Sequence, residues 1–336
     1  MSSRLTPAGR ERKVDNLRSA MPPHQQTRRR FLETAAALPL AAAGAVSLSA
    51  AQGTTTAPAS SGTAPAAPGT GPGRAVLITM LPAGSMSDRF AAAKAAGFAA
   101  IEMQTTADAA EVEAAKQASA ATGIAIHSVM NMEHWRSPLS SADPAVVQKS
   151  VEGMETSLRN AKAWGAGVVL LVPAVVDKTT TYQDAWTRSQ RVIKERILPL
   201  AKELGVVVGI EEVWNKFLLS PLEMARYVDE LDSPFAKAYF DVGNVVLYGF
   251  PQDWIRTLGP RIVRVHLKDF SIDRGKGTFS WTNLGEGDID WPAVRAAFAD
   301  IGFTGYMTTE LKGGDAAYLA DVSARVQRWL ATSRPV

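Results

Sequence analysis

The sequence contains no cysteine among its 336 residues. Disulfide bonds, thiolate metal sites and a cysteine nucleophile are therefore excluded. A lipid anchor on a cysteine at a signal cleavage site is excluded for the same reason. Histidine is also scarce, with four in the chain, and only His127, His134 and His266 lie beyond residue 51. A site that requires several imidazoles is hard to build from so few.

Beyond its N-terminal region, the chain has no excess of positive charge. The formal net charge of the whole sequence is +3 at pH 7, but residues 1–51 carry eight Lys/Arg and three Asp/Glu. The other residues carry 28 Lys/Arg and 30 Asp/Glu, which leaves them at −2. Without a basic surplus, the composition does not indicate a nucleic-acid partner.

The N-terminal region has the features of an export signal. Arg28 and Arg29 form a twin-arginine pair in the segment TRRRFLE, and an Ala/Leu-rich run with small residues suited to a cleavage site follows to about residue 51. The run is short and alanine-rich for a membrane-spanning helix, although a membrane anchor or a chance arginine pair is the alternative interpretation. Met21 is predicted to be the true start, because residues 1–26 are unusual ahead of such a signal.

This signal, residues 1–51, predicts export through the twin-arginine machinery, a periplasmic or secreted protein, and no stable membrane association after cleavage. Residues 52–73 are rich in Ala, Thr, Pro, Gly and Ser and are predicted to be a disordered linker. The folded domain is then residues 74–336, about 260 residues, which is close to the size of a typical β/α barrel.

Apolar, β-rich runs alternate with helical segments throughout this domain. The predicted strands are residues 75–81, 99–105, 125–130, 168–172, 206–211, 238–241, 262–267 and 306–311. The predicted helices include a long one over residues 144–164, and a single helix over residues 185–204. This alternation predicts an α/β fold, the (β/α)₈ TIM barrel. A doubly wound sheet fits less well, because the loop LPAGSMS after the first strand has no GxGxxG pattern.

Four residues of types that metals prefer stand at or just past the ends of four successive strands: Glu211, Asp241, His266 and Glu310. A parallel barrel gathers the C-terminal ends of its strands at one mouth, so these side chains are expected to meet. Three carboxylates and one imidazole suit one divalent ion such as Mn, Mg, Co or Zn. Taken singly, each residue has an ordinary interpretation as a cap, an ion-pair partner or a core histidine. Glu211 is preferred over its neighbour Glu212 because it shares a strand face with Gly209.

Five short segments carry a resemblance to a known family: EEVWN (211–215), FDVGN (240–244), VHLKD (265–269), LGEGDIDW (284–291) and TTEL (308–311). They resemble the sugar phosphate isomerase/epimerase family, which are xylose isomerase-like TIM barrels. Within it, the chain is most similar to the L-ribulose/L-xylulose 5-phosphate 3-epimerase and ketose 3-epimerase branch. The resemblance extends over about residues 76–330 and is more specific for the fold and the metal site than for the substrate.

The resemblance implies a sugar or sugar-phosphate epimerase or isomerase that moves a proton next to a carbonyl. Glu211, Asp241, His266 and Glu310 would hold one divalent ion, which polarises the carbonyl and stabilises an enediolate. Glu211 and Glu310 would also be the catalytic pair, one removing a proton and the other returning one. The implied partner is a small-molecule carbohydrate. Relatives are often dimers or tetramers, and the sequence shows no interface.

Further residues at predicted strand ends or in long loops are candidates for substrate binding: His127, Asn244, Lys268, Trp214 and Trp135. Hydrogen bonding within a loop, or packing for the tryptophans, explains each of them equally well. The two long loops are residues 131–143 and 269–290. Both leave the C-terminal ends of strands, where a barrel builds its substrate site.

The substrate and two other functions stay open at this point. Phe217 stands where sugar-binding ketose epimerases have a glutamate, which argues against a free ketose bound in the usual way. The export signal argues against a sugar phosphate, and an oxidised or keto-sugar derivative is a third alternative. A metal-dependent lyase or dehydratase on a keto-sugar or keto-polyol, and a non-catalytic exported sugar-binding protein, are the rival functions. A nuclease of the endonuclease IV type shares the fold but needs several histidines.

Overall fold

The computed structural model describes residues 72–273 and 275–331. The predicted export signal, the start at Met21 and nearly all of the predicted linker lie outside these residues. Among the described residues, no helix combines the length and the apolar character needed to cross a membrane.

Eight parallel strands close into a barrel, which confirms the predicted (β/α)₈ fold. The barrel strands are β1 (Gly73–Leu77), β2 (Ala100–Gln104), β3 (Ala125–Met130), β4 (Val168–Leu171), β5 (Val207–Glu211), β6 (Ala236–Asp241), β7 (Ile262–Leu267) and β10 (Tyr306–Thr309). Around the barrel they follow the order β1-β10-β7-β6-β5-β4-β3-β2. The remaining strands, β8 (Asp269–Asp273) and β9 (Thr278–Thr282), pair with each other as an antiparallel hairpin.

Helices connect the strands on the outside of the barrel. They are α1 (Met86–Ala95), α2 (Ala109–Thr122), α3 (Pro144–Trp164), α4 (Tyr182–Val192), α5 (Leu198–Leu204), α6 (Pro221–Glu230), α7 (Pro251–Leu258), α8 (Trp291–Asp300) and α9 (Ala316–Ala331). The ends of α3 agree with the prediction: Asp143 caps its first turn by accepting from the Ala145 amide, and Gly165 ends it at a φ of 72°.

Besides small shifts at the ends of several strands, three predicted elements differ from the structure. The first strand ends at Leu77, and Ile78–Met80 forms a 3₁₀ turn instead of continuing the strand. The single helix predicted over residues 185–204 is interrupted by a π-helical turn at Ile193–Ile197 between α4 and α5. The loop predicted over residues 269–290 contains the β8–β9 hairpin, because Phe270 is buried against Trp281 and Phe279 from the second strand.

One glycine makes room inside the barrel for a large polar side chain. A Cβ atom on Gly209 of β5 would lie 3.0 Å from the Tyr239 ring and 3.2 Å from Val168. The missing side chain therefore lets the Tyr239 ring of β6 lie in the barrel interior, where its hydroxyl reaches β2 and β3. A larger residue at position 209 would have to displace it.

Candidate active site

The four predicted metal ligands meet at the C-terminal end of the barrel. Glu211 and Asp241 are the last residues of β5 and β6, His266 is the second-last of β7, and Glu310 follows β10 directly. One ligand atom from each lies within 4.8 Å of the others. Because these strands are neighbours in the order β5-β6-β7-β10, their ends deliver the side chains to one side of the mouth.

The imidazole of His266 is at the centre of this cluster. Its Nδ1 lies 2.7 Å from Glu310 Oε2 and 3.0 Å from Glu211 Oε1. Asp241 Oδ2 is farther away, at 3.8 Å from the same nitrogen. All four residues are buried or nearly so, with Glu310 the most exposed at 24 % of its side chain.

Backbone amides fix the orientation of Asp241. Its Oδ1 accepts hydrogen bonds from the amides of Gly243, at 2.7 Å, and Asn244, at 2.9 Å. The turn after β6 therefore uses one carboxylate oxygen and leaves Oδ2 directed at the cluster. The ammonium of Lys268 lies 2.9 Å from this Oδ2 and 3.0 Å from Glu310 Oε2.

Burial and the neighbouring charges shift the pKa values of these groups in opposite directions. Burial raises the pKa of Glu211 to about 7. Burial also opposes ionisation of Glu310, but His266 and Lys268 outweigh it and hold the pKa of that carboxyl well below its usual value. Burial would lower the pKa of His266, whereas the surrounding carboxylates, Glu102 first, hold it well above the usual value.

The donor set fits a divalent cation. Three carboxylates are costly to bury together unless positive charge balances them. In this structure the balance comes from Lys268 and from the imidazole of His266, both in direct contact with the carboxylates. Carboxylate oxygens with one imidazole nitrogen are a ligand set for hard or borderline ions such as Mn²⁺ or Mg²⁺.

A family model described as the xylose isomerase-like TIM barrel matches residues 90–332. The chain belongs to this family. An L-ribulose-5-phosphate 3-epimerase from Salmonella paratyphi C (strain RKS4594) is 26% identical over 262 residues, which cover 74% of this chain and 90% of that protein.

Two solved structures share the fold of this family member. A D-tagatose 3-epimerase-like protein superposes with a TM-score of 0.66 at 18% identity, covering 76% of this chain and 96% of its own. A D-allulose 3-epimerase from Methylomonas sp., in complex with D-allulose, superposes with a TM-score of 0.64 at 17% identity, covering 78% and 98%.

Glu102 is not among the residues predicted from the sequence, and this xylose isomerase-like barrel buries it completely beside the cluster. Its Oε2 lies 2.8 Å from Nε2 of His266 and accepts a hydrogen bond from the Tyr239 hydroxyl at 2.7 Å. A signal was present in the sequence, because Glu102 is a lone charge within the apolar strand AIEMQ. Such a charge is costly to bury without partners.

Glu212 is also buried, yet it does not join the cluster. Neither of its carboxylate oxygens has a hydrogen-bond partner among the described residues. Burial, followed by the charges of Asp241 and Glu211, raises the pKa of Glu212 well above its usual value. The two adjacent glutamates therefore have different environments, because Glu211 directs its carboxylate at His266 and Glu212 does not.

His127 does not reach the mouth of the barrel. The pairing of β2 with β3 passes from Ile126 directly to Ser128, so His127 lies in a bulge. Its ring bonds to Thr308 at 2.9 Å and to the Arg264 guanidinium at 3.1 Å, which uses both nitrogens. The structure therefore places His127 within the barrel, with both ring nitrogens engaged by protein groups, and not at the mouth where the sequence predicts substrate binding.

Asn244 and Trp214 support each other beside the cluster. The side-chain amide of Asn244 donates to the backbone carbonyl of Glu212 at 3.2 Å, and the backbone carbonyl of Asn244 accepts from the Trp214 indole at 2.9 Å. Trp214 stacks on Trp281 of the hairpin, with ring centres 4.9 Å apart. Lys268 lies 5.4 Å from the centre of the Trp281 ring. Trp214 and Trp281 thus form an aromatic wall that extends from the metal-preferring residues to the solvent.

Trp135 and Phe217 have very different environments. Trp135 is 55% exposed in the loop after β3 and contacts His134 edge to face at 5.3 Å. Phe217 is fully buried and packs against Tyr182, at 5.0 Å between ring centres, and against Tyr227, at 5.5 Å. Position 217 is therefore part of the core in this chain and is not available to a substrate.

His134 should make the stability of the fold sensitive to acid. Burial lowers the pKa of His134 to about 4, from 6.5 in an exposed histidine. Between these values the unfolded chain binds a proton that the folded chain excludes. The buried neutral imidazole of His134 therefore contributes fully to the free energy of unfolding above pH 6.5, and this contribution is lost as the pH falls towards 4. One pKa unit corresponds to about 1.4 kcal/mol, so the difference between 6.5 and about 4 corresponds to about 3.5 kcal/mol, of which about 2.5 kcal/mol is lost by pH 4.5.

The comparison of wild type with His134→Asn by urea unfolding at pH 7.5 and 4.5, in EDTA, measures this effect. Wild type should lose about 2.5 kcal/mol more of its free energy of unfolding than the variant, because pH 4.5 is still above the pKa of about 4 in the folded protein. Other titrating groups, including the buried His127, are common to both proteins and cancel. Equal losses in the two proteins would contradict the prediction.

Proposed function

We propose that the protein is a divalent-metal-dependent sugar epimerase that inverts a carbon next to a carbonyl by moving a proton. The observation that carries this proposal is the convergence of Glu211, Asp241, His266 and Glu310 within 4.8 Å. The relatives support the same reaction class, because one curated relative is an L-ribulose-5-phosphate 3-epimerase and the solved structures include a D-allulose 3-epimerase.

In this proposal the four residues hold one cation, which supplies Lewis-acid polarisation of the substrate's carbonyl oxygen when it is bound. The chain contributes the rest. Glu211 and Glu310 come from β5 and β10, with two strand ends between them, so they approach the centre of the cluster from different sides. One of them removes the proton from the carbon and the other returns a proton to the opposite face.

The surroundings of the cluster favour a carbohydrate substrate. The aromatic wall of Trp214 and Trp281 offers an apolar face against which the C–H groups of a sugar can pack. Lys268 lies between this wall and Glu310, where its ammonium can meet a hydroxyl or carbonyl oxygen. The predicted export signal favours a sugar without phosphate, whereas the curated relative acts on a phosphate ester.

Proton exchange at carbon tests the function. The purified full-length protein is stripped with EDTA, reloaded with Mn²⁺, and incubated in heavy water with D-allulose, D-tagatose, D-fructose, L-ribulose and L-ribulose 5-phosphate. We expect NMR to show deuterium next to the carbonyl and a new epimer with at least one of these sugars, and no exchange before metal is returned.

The rival functions give different results in the same tubes. A dehydratase would release water and produce an unsaturated or keto product of lower mass, without accumulation of an epimer. A binding protein would show calorimetric binding of a sugar and no exchange with any metal. Either outcome would replace the epimerase proposal.

A further inference from the structure

A buried carboxylate holds the far side of the candidate metal ligand His266. Glu102 stands in the middle of β2, and its side chain crosses the barrel interior to β7. Its Oε2 lies 2.8 Å from His266 Nε2, while His266 Nδ1 faces Glu211, Asp241 and Glu310. The two ring nitrogens therefore have different neighbours, one carboxylate from below and three from the mouth.

The hydrogen-bonding chemistry of these groups specifies where the imidazole proton must lie. An ionised carboxylate only accepts hydrogen bonds, so Nε2 of His266 must carry the hydrogen that reaches Glu102. Nδ1 also faces carboxylate oxygens, of Glu310 at 2.7 Å and of Glu211 at 3.0 Å, so it carries a hydrogen as well while no cation is bound. When a cation displaces that hydrogen, Nε2 keeps its own and the lone pair stands on Nδ1. That nitrogen is the one directed at the cluster of Glu211, Asp241 and Glu310.

We propose that Glu102 is a positioning residue, which fixes the ring orientation and the tautomer of His266 so that Nδ1 is presented to a divalent cation. The inference rests on the proposed function, because it requires the cation site. Glu102 is fully buried and contributes no ligand atom to the four that converge, so it acts through His266.

Glu102 is itself held from a second direction. The Tyr239 hydroxyl donates to the same Oε2 at 2.7 Å and lies 3.2 Å from the Ser128 hydroxyl. Ser128 is paired with Glu102 in the β2–β3 register, and the bulge at His127 creates that pairing. The Tyr239 ring also packs 4.6 Å from the His266 ring. These contacts define one position for the carboxylate, which a positioning role requires.

An ordinary structural role for Glu102 would have different consequences. A carboxylate that only balanced charge in the core would affect the free energy of unfolding. It would leave the His266 tautomer of the folded protein unchanged, although the loss of its charge would still weaken cation binding. The tautomer is therefore the measurement that separates the two roles, and the affinity shows whether Glu102 matters to the cation site at all.

The test uses the full chain with Glu102→Gln, which keeps the shape of the side chain and removes its charge. A glutamine amide can accept from Nε2 or donate to it, so it no longer selects one tautomer. We expect the dissociation constant for Mn²⁺, measured by calorimetry, to rise by about 10–100-fold. Tyr239→Phe is the matched comparison, because it removes one hydrogen bond to the same oxygen but leaves the Glu102 carboxylate beside His266, so we expect a smaller rise in the dissociation constant than with Glu102→Gln.

The tautomer is read directly in wild type loaded with diamagnetic Zn²⁺, by long-range proton–nitrogen NMR of labelled histidine. The inference expects the hydrogen on Nε2 of His266 and none on Nδ1. A hydrogen on Nδ1 would overturn it even if Glu102→Gln failed to fold, and so would an unchanged Mn²⁺ affinity in a folded variant. Failure of wild type to bind any divalent ion would instead overturn the proposed function together with this inference.

Discussion

Replacing Glu211 with glutamine should lower the rate of substrate proton exchange by about 10²–10⁴-fold, whereas the same change at Glu212 should leave the rate nearly unchanged. The two residues are adjacent and both are buried. Only Glu211 lies in the cluster, 3.0 Å from His266 Nδ1, while the carboxylate oxygens of Glu212 have no hydrogen-bond partner among the described residues. The same substitution, glutamate to glutamine, is therefore expected to reduce proton exchange strongly at position 211 and hardly at all at position 212.

The metal content of both variants separates the two roles of Glu211. A glutamine at position 211 retains one oxygen that can face a cation, but it cannot take up a proton from carbon. Retained Mn²⁺ with lost exchange would assign Glu211 to proton transfer, and simultaneous loss of both would assign it to metal binding. Exchange is followed by NMR in heavy water with the sugar that wild type labels fastest. A Glu211→Gln variant as active as Glu212→Gln would remove Glu211 from the mechanism.

The position of the candidate site was predictable for two reasons. The periodicity of a strand is visible in a few neighbouring residues, and every parallel β/α barrel gathers the C-terminal ends of its strands at one mouth. A residue at the end of an apolar strand in a parallel barrel must lie at the mouth, and this holds for Glu211 and Asp241. Glu310 lies one residue past the end of β10 and still reaches the cluster, because its amide donates to the Leu267 carbonyl of β7 at 3.1 Å. Because the four residues stand at the ends of neighbouring strands, the barrel brings their side chains close together.

The structural features that the sequence did not predict depend on pairing between segments that are distant along the chain. His127 is in a bulge whose existence is defined by the register of β2 against β3, and no local pattern shows that register. In the β8–β9 hairpin, Phe270 packs against Trp281 of the other strand, a contact that no local sequence pattern shows. Glu102 was visible as a charge in an apolar strand, but its partner His266 is 164 residues away in sequence. Only the closed barrel brings them together.

The same geometry makes His266 the residue whose loss should most affect metal binding. We expect wild type to retain about one Mn²⁺ per chain after reconstitution, and His266→Gln to bind it more than 100-fold more weakly. Even the hydrogen-bond partner of a ligand is typically worth about 10–100-fold in metal affinity, so the ligand itself should exceed that range. Metal content by plasma emission spectrometry and affinity by calorimetry measure the effect.

His134→Asn is the control for this experiment. His134 is a buried histidine whose pKa responds to the charge of Glu310, so it lies near the cluster, but it contributes no ligand atom to the four that converge. Both variants are compared by circular dichroism, because His266 is fully buried and its removal leaves Glu102 without its imidazole partner. Loss of metal in a folded His266→Gln protein, with metal retained in His134→Asn, would assign the cation to the predicted cluster. Equal metal binding by all three proteins would place the cation elsewhere, and Glu211 and Glu310 would then be left without the Lewis acid that the proposed proton transfer requires.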